Sequence, residues 1–195
     1  IWHFSHICGG AVIGQNCSLG QNVLVADNAI LGNNVKVQNN VAIYGGVKVE
    51  DDVFLGPCCV LTNVTNPRSQ VSRKSLYEKT FIKRGATIGA NSTLVCGITI
   101  GRYCFVGAGA VVTKDIVDYG LVLGNPGKLS GYMSRHGHKL KFDNGGRATC
   151  LESNFSYEIV DGQVRCLDLD EEKALPDDLS IGSKAYDSFR ISETD

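Results

Sequence analysis

The chain of 195 residues has little proline, methionine and tryptophan, and neither charge is in excess: it contains 4 Pro, 1 Met and 1 Trp, with 19 Lys and Arg against 20 Asp and Glu. So few prolines, beside 23 glycines, exclude a collagen-like or Pro/Gly-rich disordered chain. No apolar run is long enough to span a bilayer and no signal-peptide pattern opens the sequence, so we expect a cytoplasmic protein.

What the chain does have is a period of six. Ile, Leu or Val stands at positions 1, 7, 13, 19, 25, 31, 37, 43, 49, 55 and 61, and then, after fifteen additional residues, at positions 82, 88, 94, 100, 106 and 112. A small or β-branched residue follows four places after each aliphatic residue. Gly, Asn or Asp follows three places after thirteen of the seventeen.

Each part of this repeat has a physical meaning. Gly, Asn and Asp tolerate the left-handed backbone region, so the chain is expected to turn a corner every six residues. The aliphatic and β-branched residues between corners form short strands with one side chain pointing inward. A period of six gives no common helical face and is typical of a parallel β-solenoid. Three sides per turn predict a coil of eighteen residues, whereas periodicity alone does not determine its handedness.

Eight cysteines occur in the chain. Cys17, Cys59 and Cys104 fall on positions that the repeat reserves for small buried residues. This placement favours reduced thiols in the core of a cytosolic protein over a disulfide framework.

Stacking the coils places the corners on edges of a prism. One edge carries the pairs 9–10, 27–28, 45–46 and 63–64; a second carries 21–22, 39–40, 57–58, 90–91, 108–109 and the turn near Pro126. The inserted loop 67–81 leaves the prism just after the first of these edges, at Asn63. A connection of this length is more often functional than accidental.

The insertion is polar, aromatic and basic. Between residues 67 and 84 a single acid, Glu78, stands against six basic residues: Arg68, Arg73, Lys74, Lys79, Lys83 and Arg84. A short basic loop in a balanced protein indicates a small anionic ligand rather than nucleic acid, which usually meets a broad basic face.

Three regions are expected along the chain. Residues 1–126 form the all-β solenoid, and residues 127–142 form a cap with a short helix that closes its open end. Residues 143–195 contain a small hairpin, with strands 156–160 and 163–167 around an Asp-Gly turn, and an acidic, loosely held tail. Because Ile1 already fits the repeat, we expect an earlier coil or cap to precede it.

Several motifs lie at spacings typical of one group of enzymes: Trp2-His3-Phe4, Gln38-Asn39-Asn40, Asn66-Pro67-Arg68-Ser69, Arg73-Lys74 with Tyr77, and residues 80–91. Over residues 1–133 the chain resembles the hexapeptide-repeat acyltransferases, which form left-handed parallel β-helices and work as homotrimers with sites between subunits. Within them it is most similar to the nucleotide-sugar N-acetyltransferases that act on 3-amino sugars, in particular those acting on UDP-2-acetamido-3-amino-2,3-dideoxy-glucuronate in bacterial surface-polysaccharide (O-antigen) synthesis.

The resemblance implies that Asn63 helps to hold the sugar's 3-amino group near the thioester. An amide can accept a hydrogen bond from the amine or donate one to the developing oxyanion. The alternatives are that Asn63 is only a corner residue, or that His3 or His6 is the base. His3 and His6, with Phe4, can instead line the nucleotide site.

The basic loop and the second edge complete the expected site. Arg68, Arg73 and Lys74 suit a diphosphate or a uronate carboxylate, and Tyr77 provides a stacking or hydrogen-bonding wall. On the second edge, small residues and backbone groups offer a track for the pantetheine arm of acetyl-CoA, near Ala90, Ala108 and Pro126. The thioester end is expected near Asn39 and Asn40, and the coenzyme phosphates near Lys114 and Lys128.

We expect no metal, because His136, His138, Cys150 and Cys166 do not provide a ligand set at suitable spacing. The leading hypothesis is therefore an acetyl-CoA-dependent N-acetyltransferase that acts on the UDP-linked 3-amino uronic acid named above. A dTDP-3-amino-3,6-dideoxyhexose is the rival acceptor, and a non-catalytic structural or binding solenoid is the alternative from another class.

Overall fold

A computed structural model describes residues 1–182 and 184–189. Its body is a triangular solenoid built from two- and three-residue strands. In chain order these are β1 His6–Ile7, β2 Val12–Ile13, β3 Ser18–Leu19, β4 Leu24–Val25, β5 Ile30–Leu31, β6 Lys36–Val37, β7 Ala42–Ile43, β8 Val47–Val49, β9 Phe54–Leu55, β10 Val60–Leu61, β11 Thr80–Ile82, β12 Thr87–Ile88, β13 Thr93–Leu94, β14 Thr99–Ile100, β15 Phe105–Val106 and β16 Val111–Val112.

Every third strand joins the same parallel sheet, so the prism has three faces. We call them face A (β1-β4-β7-β10-β13-β16), face B (β2-β5-β8-β11-β14) and face C (β3-β6-β9-β12-β15). Within each face, residues paired on successive coils are eighteen apart in sequence, as are His6 and Leu24. Val60 pairs with Thr93, thirty-three residues away, which is eighteen plus the fifteen of the insertion. The expected all-β, left-handed parallel β-helix is confirmed.

The aliphatic ladder forms the core. From Leu19 to Val112 every residue of the six-residue series is at most 2% exposed, whereas Ile1 on the first coil is 73% exposed. The corners have positive φ values, for example 61° at Asn28 and 61° at Asn40. At position 89 a glycine is needed for a different reason, the close approach of the next coil: a Cβ there would lie 2.5 Å from the backbone nitrogen of Ala108.

The last coil is shorter than the others. Phe105 pairs with Leu121, sixteen residues away. The corner 113–115 is two residues shorter than the equivalent corners of other coils, since Ile116 pairs with Ile100, sixteen rather than eighteen residues earlier. Beyond it, β17 (Gly120–Leu123) turns through a cis Asn125–Pro126 bond into β18 (Lys128–Tyr132), which pairs with it antiparallel. The strand β18 therefore occupies the first part of the segment 127–142, for which a short helix was expected.

The appended region is a three-stranded antiparallel sheet of β19 (Arg147–Thr149), β20 (Ser156–Val160) and β21 (Gln163–Cys166). The sheet has a core of its own in which Tyr119 and Tyr157 are fully buried. All eight cysteines are free thiols.

Short 3₁₀ helices lie at Lys74–Leu76, Asp177–Leu179 and Tyr186–Phe189. No helix in the described part of the chain is long and apolar enough to cross a membrane.

The described part of the acidic tail is docked, which corrects the expectation of a loosely held segment. The Arg135 guanidinium lies 4.4 Å from the centre of the Tyr103 ring and donates hydrogen bonds to the carbonyls of Asp170 and Lys173. The Tyr103 hydroxyl donates to the Glu171 carbonyl at 2.6 Å. Arg102 forms an ion pair with Glu172 at 2.6 Å. Residues 183 and 190–195 lie outside the described residues.

We expect Arg135→Ala to release this tail, because one guanidinium supplies both carbonyl hydrogen bonds and the cation–π contact. The rate of proteolytic cleavage within residues 168–182, followed by mass spectrometry, should rise about tenfold. Arg147→Ala is the matched control, since among the described residues the Arg147 guanidinium forms an ion pair only with Glu158, inside the appended sheet. Equal cleavage of both variants and the wild type would contradict this account of docking.

Candidate active site

The inserted loop folds back over the outer surface of face A and borders an open pocket of about 680 Å³. Its floor is the end of β10 and the corner that follows, and its walls are the loop itself. The lining residues are Tyr44, Val60, Leu61, Thr62, Asn63, Val64, Pro67, Arg68, Ser69, Gln70, Val71, Ser72, Arg73, Lys74 and Tyr77.

Backbone contacts close the loop at its base and at its tip. The Glu78 N–H donates to the Asn63 carbonyl at 3.0 Å, where the chain leaves and rejoins the prism. The Val71 N–H donates to the Arg68 carbonyl at 3.0 Å. Arg73 Nε donates to the Asn66 carbonyl at 2.9 Å. The loop is thus an ordered element with its own hydrogen bonds.

The pocket is cationic. Arg68, Arg73 and Lys74 line it, and none of its lining residues is Asp or Glu. A guanidinium has five N–H donors, and the hydrogen bonds of Arg68 and Arg73 to the carbonyls of Pro67 and Asn66 use one nitrogen of each. The remaining donors and the two tyrosines, Tyr44 and Tyr77, suit an anionic ligand with a planar ring.

Asn63 lies half-buried in this pocket. Its side chain makes no hydrogen bond to any described residue, and its φ is not in the left-handed region, unlike that of Asn28 or Asn40. Backbone geometry therefore does not require an asparagine here. The side-chain amide is available to a ligand.

The histidines of the first coil are not brought to this pocket within one chain. His6 occupies the same outward position of face A as Val60, but fifty-four residues, or three coils, earlier. At about 4.8 Å per coil, this places it roughly 14 Å lower on the face. His3 and Phe4 lie beside it at the corner between faces C and A, where Phe4 is 83% exposed.

Asn39 and Asn40 form part of a ladder on the edge between faces C and A. The Asn39 Oδ1 accepts from the Gln21 N–H at 2.8 Å, and the Asn40 Oδ1 accepts from the Asn22 side-chain amide at 3.0 Å. These contacts give both residues a structural explanation. The Asn40 amide nitrogen reaches Cys58 Sγ at 3.7 Å.

Ala90 and Ala108 occupy the same C–A edge on higher coils. Their backbone N–H groups donate to no described residue, and the Ala90 carbonyl accepts from the Gly109 N–H at 2.8 Å. Pro126 follows the Gly124–Asn125 turn at the top of this edge, and Lys128 is exposed at the start of β18. Lys114 differs: it is exposed at the shortened corner between faces A and B, on the edge that carries Asn63.

Two residues that the sequence did not assign to the site are Tyr44, which lines the pocket, and Glu78, which lies outside the lining at the base of the loop. Tyr44 lies directly beneath Thr62, and its position eighteen residues earlier was the signal that could have identified it. Glu78 lies at the loop base, and its being the single acid in a basic segment was the available signal. Among the described residues, no group of three or more His, Cys, Asp or Glu could hold a metal ion.

Comparison with known proteins agrees with the fold and with the position of the insertion. Residues 28–63 and 79–114 match the family described as bacterial transferase hexapeptide (six repeats), and residues 10–44 match the hexapeptide repeat of succinyl-transferase. The gap between the two matched segments of the first family, residues 64–78, contains most of the loop 67–81.

One relative is the dTDP-3-amino-3,6-dideoxy-alpha-D-galactopyranose 3-N-acetyltransferase of Aneurinibacillus thermoaerophilus. It is 48% identical over 89 residues, which cover 45% of each chain. The chain thus spans less than half of that relative's length.

Two solved structures share the fold. The acetyltransferase domain of PglB from Neisseria gonorrhoeae, in complex with acetyl coenzyme A, is 24% identical with a TM-score of 0.55, over 64% of this chain and 54% of that one. A GDP-perosamine N-acetyltransferase variant from Caulobacter crescentus, with CoA and GDP-perosamine, is 20% identical with a TM-score of 0.55, over 65% and 53%.

The pocket should bind inorganic pyrophosphate and UDP through its cations. Arg68→Gln should weaken both about tenfold, since a charge-assisted hydrogen bond contributes roughly 1.5–3 kcal/mol. Isothermal titration calorimetry measures the two dissociation constants, which should also rise with salt. Lys36→Gln removes an exposed cation on face C and is the control; an equal effect of both substitutions would contradict binding in this pocket.

Proposed function

We propose that this protein is an acetyl-CoA-dependent N-acetyltransferase that acetylates the 3-amino group of a nucleotide-linked sugar. The observation that carries the proposal is the acid-free, cationic pocket built on the corner of Asn63. The 48% identity to a dTDP-amino-sugar 3-N-acetyltransferase supports it. The rival interpretation, a non-catalytic solenoid, does not explain an ordered loop whose pocket-lining cations pair with no acid among the described residues.

The pocket's charges fit the acceptor. A nucleoside diphosphate carries two adjacent phosphates, and Arg68, Arg73 and Lys74 provide three cations to meet them. Tyr44 and Tyr77 offer surfaces for the base or the sugar ring. Asn63 then meets the end of the ligand that lies nearest the prism.

The chemistry needs little from the side chains. The unprotonated 3-amino group attacks the thioester carbonyl, the carbon–sulfur bond breaks, and the departing CoA thiolate takes the proton that the nitrogen releases. Asn63 can orient the amine or donate a hydrogen bond to the oxyanion that forms. Holding amine and thioester in line supplies much of the remaining rate.

The acetyl donor is proposed to lie along the C–A edge, at Ala90 and Ala108. Within one chain this edge and the Asn63 edge are separated by the width of face A, about five extended residues or roughly 16 Å. The amine on one edge cannot reach a thioester on the other. A neighbouring subunit in a homotrimer would bring the two edges together, and Lys114, on the Asn63 edge, would then lie near a neighbour's coenzyme.

Two acceptors fit this proposal. The similarity to the Aneurinibacillus thermoaerophilus enzyme favours a dTDP-3-amino-3,6-dideoxyhexose. The third cation of the pocket would also suit the carboxylate of UDP-2-acetamido-3-amino-2,3-dideoxy-glucuronic acid. In either case the product is a building block for a surface polysaccharide.

The proposal is tested by free-thiol release from acetyl-CoA with a panel of UDP- and dTDP-amino sugars. We expect turnover with a 3-amino sugar and none with the 3-hydroxy analogue. Light scattering of the same preparation should report a trimer. Binding of acetyl-CoA without turnover of any 3-amino sugar would favour the non-catalytic solenoid, and an active monomer would contradict the shared site.

Asn63→Ala should lower kcat about 100-fold, the loss typical of one oxyanion donor, with little change in the KM for acetyl-CoA. Steady-state kinetics measure both constants. Asn144→Ala, at an exposed asparagine of the appended region, is the control. If Asn63→Ala retains full activity while His3→Ala or His6→Ala abolishes it, a histidine is the base and the role of Asn63 is wrong.

A further inference from the structure

The carboxylate of Glu78 closes the base of the inserted loop. Its Oε1 accepts hydrogen bonds from the Thr65 N–H at 3.2 Å and from the Thr65 hydroxyl. The Cys96 thiol donates to the same oxygen at 3.6 Å. One side chain at the end of the loop thereby holds the start of the loop and the next coil of the solenoid.

These contacts surround Asn63. The Glu78 N–H donates to the Asn63 carbonyl at 3.0 Å, and the Cys96 N–H donates to the Thr62 hydroxyl at 2.9 Å. Thr62, directly before Asn63, is therefore hydrogen-bonded to Cys96, and Thr65, two places after Asn63, is hydrogen-bonded to Glu78. The side-chain amide of Asn63 itself forms no hydrogen bond with any residue that the structure describes.

The next coil is shaped to receive this carboxylate. Cys96 lies thirty-three residues after Asn63, the same offset as in the pairing of β10 with β13, so it stands directly above Asn63 on the edge. The following residue is Gly97, with a φ of 83°, and a Cβ there would lie 2.6 Å from Glu78 Oε2. A side chain at this corner would displace the carboxylate.

Glu78 does not neutralise the loop's cations. Among the described residues it forms no ion pair with Lys or Arg, although six of them flank it in sequence. The pKa of its carboxyl is lowered, chiefly because the Thr65 hydroxyl donates to it. The acid is thus ionised and held by neutral donors, which leaves Arg68, Arg73 and Lys74 available to an anion.

We propose that Glu78 is a positioning residue: through Thr65 and Cys96 it latches the acceptor loop to the coil above Asn63 and thereby fixes the amide against the bound sugar. This inference rests on the proposed acetyl transfer. It predicts that the latch acts on the acceptor and leaves the donor track on the C–A edge unchanged.

The test is a double-mutant cycle of Glu78→Ala with Thr65→Val. Each single substitution should raise the KM for the amino sugar about tenfold and lower kcat several-fold, with the KM for acetyl-CoA unchanged. The double variant should be no worse than Glu78→Ala alone, because both changes remove the same contact. Glu78→Gln, which keeps an oxygen acceptor, should recover part of the loss.

Asp178→Ala removes an equal charge from the exposed tail and is the control. Hydrogen exchange of the amides of residues 64–77 provides a readout that needs no turnover; it should accelerate in Glu78→Ala and not in Asp178→Ala. A thermal unfolding scan of each variant shows whether the solenoid itself is intact.

The outcomes separate the two proposals. Wild-type turnover with unchanged kinetics and loop exchange in Glu78→Ala would overturn the latch and leave the function standing. Absence of wild-type turnover with any 3-amino sugar would overturn the function, and loop exchange would then still decide whether Glu78 holds the loop. Additive losses in the cycle would show that Glu78 and Thr65 act separately, which also overturns the latch.

Discussion

The structure depends on a fixed register between coils. Each sixth residue must direct a branched aliphatic side chain inward, and a slip of one residue would turn the whole ladder outward. Between Val47 and its partner Thr80 the chain gains fifteen residues without any change of register. An insertion is tolerated only if it leaves and re-enters at the same edge. For this reason the loop projects outward at a corner, where it can enclose a ligand without disturbing the core.

The basic residues in and near the loop fall into two groups, those paired with an acid along an edge of the prism and those that line the pocket. Arg84 belongs by sequence to the basic segment that contains the loop, yet the structure pairs it with Asp51 at 2.8 Å and Asp52 at 2.6 Å on the edge between faces B and C. Arg68 and Lys74 have no such acid among the described residues. A cation paired along an edge stabilises the stack of coils, whereas a cation left unpaired over a pocket is available to a ligand. Sequence proximity alone did not distinguish them.

The periodic part of the fold was predictable because each position is determined by its own backbone and its own burial. The appended region was not, because non-periodic contacts determine it. Tyr103 and Tyr119 occupy corner positions with φ of 53° and 63°, where the repeat favours Gly or Asn. Their rings stack with centres 5.3 Å apart, and Tyr119 meets Tyr157 of the appended sheet edge-on. Only the docked sheet and tail explain why aromatic residues replace the usual turn formers.

For the candidate site, the register placed Asn63 and the loop at one corner of the prism, but it did not indicate which contacts hold them there. In the proposed reaction, the Asn63 amide is useful only if its position relative to the amino sugar is fixed. A fifteen-residue loop has enough conformational freedom to move its cations by several ångströms unless its ends are joined. The Glu78 carboxylate supplies that join with neutral partners, so closing the loop uses none of the charge that we propose binds the substrate. If one of the pocket's own cations, such as Lys74, were the partner of Glu78 instead, the loop would be closed at the cost of a charge available to an anion. With a threonine and a thiol as the partners of Glu78, the loop is ordered and its cations remain available to the proposed anionic ligand.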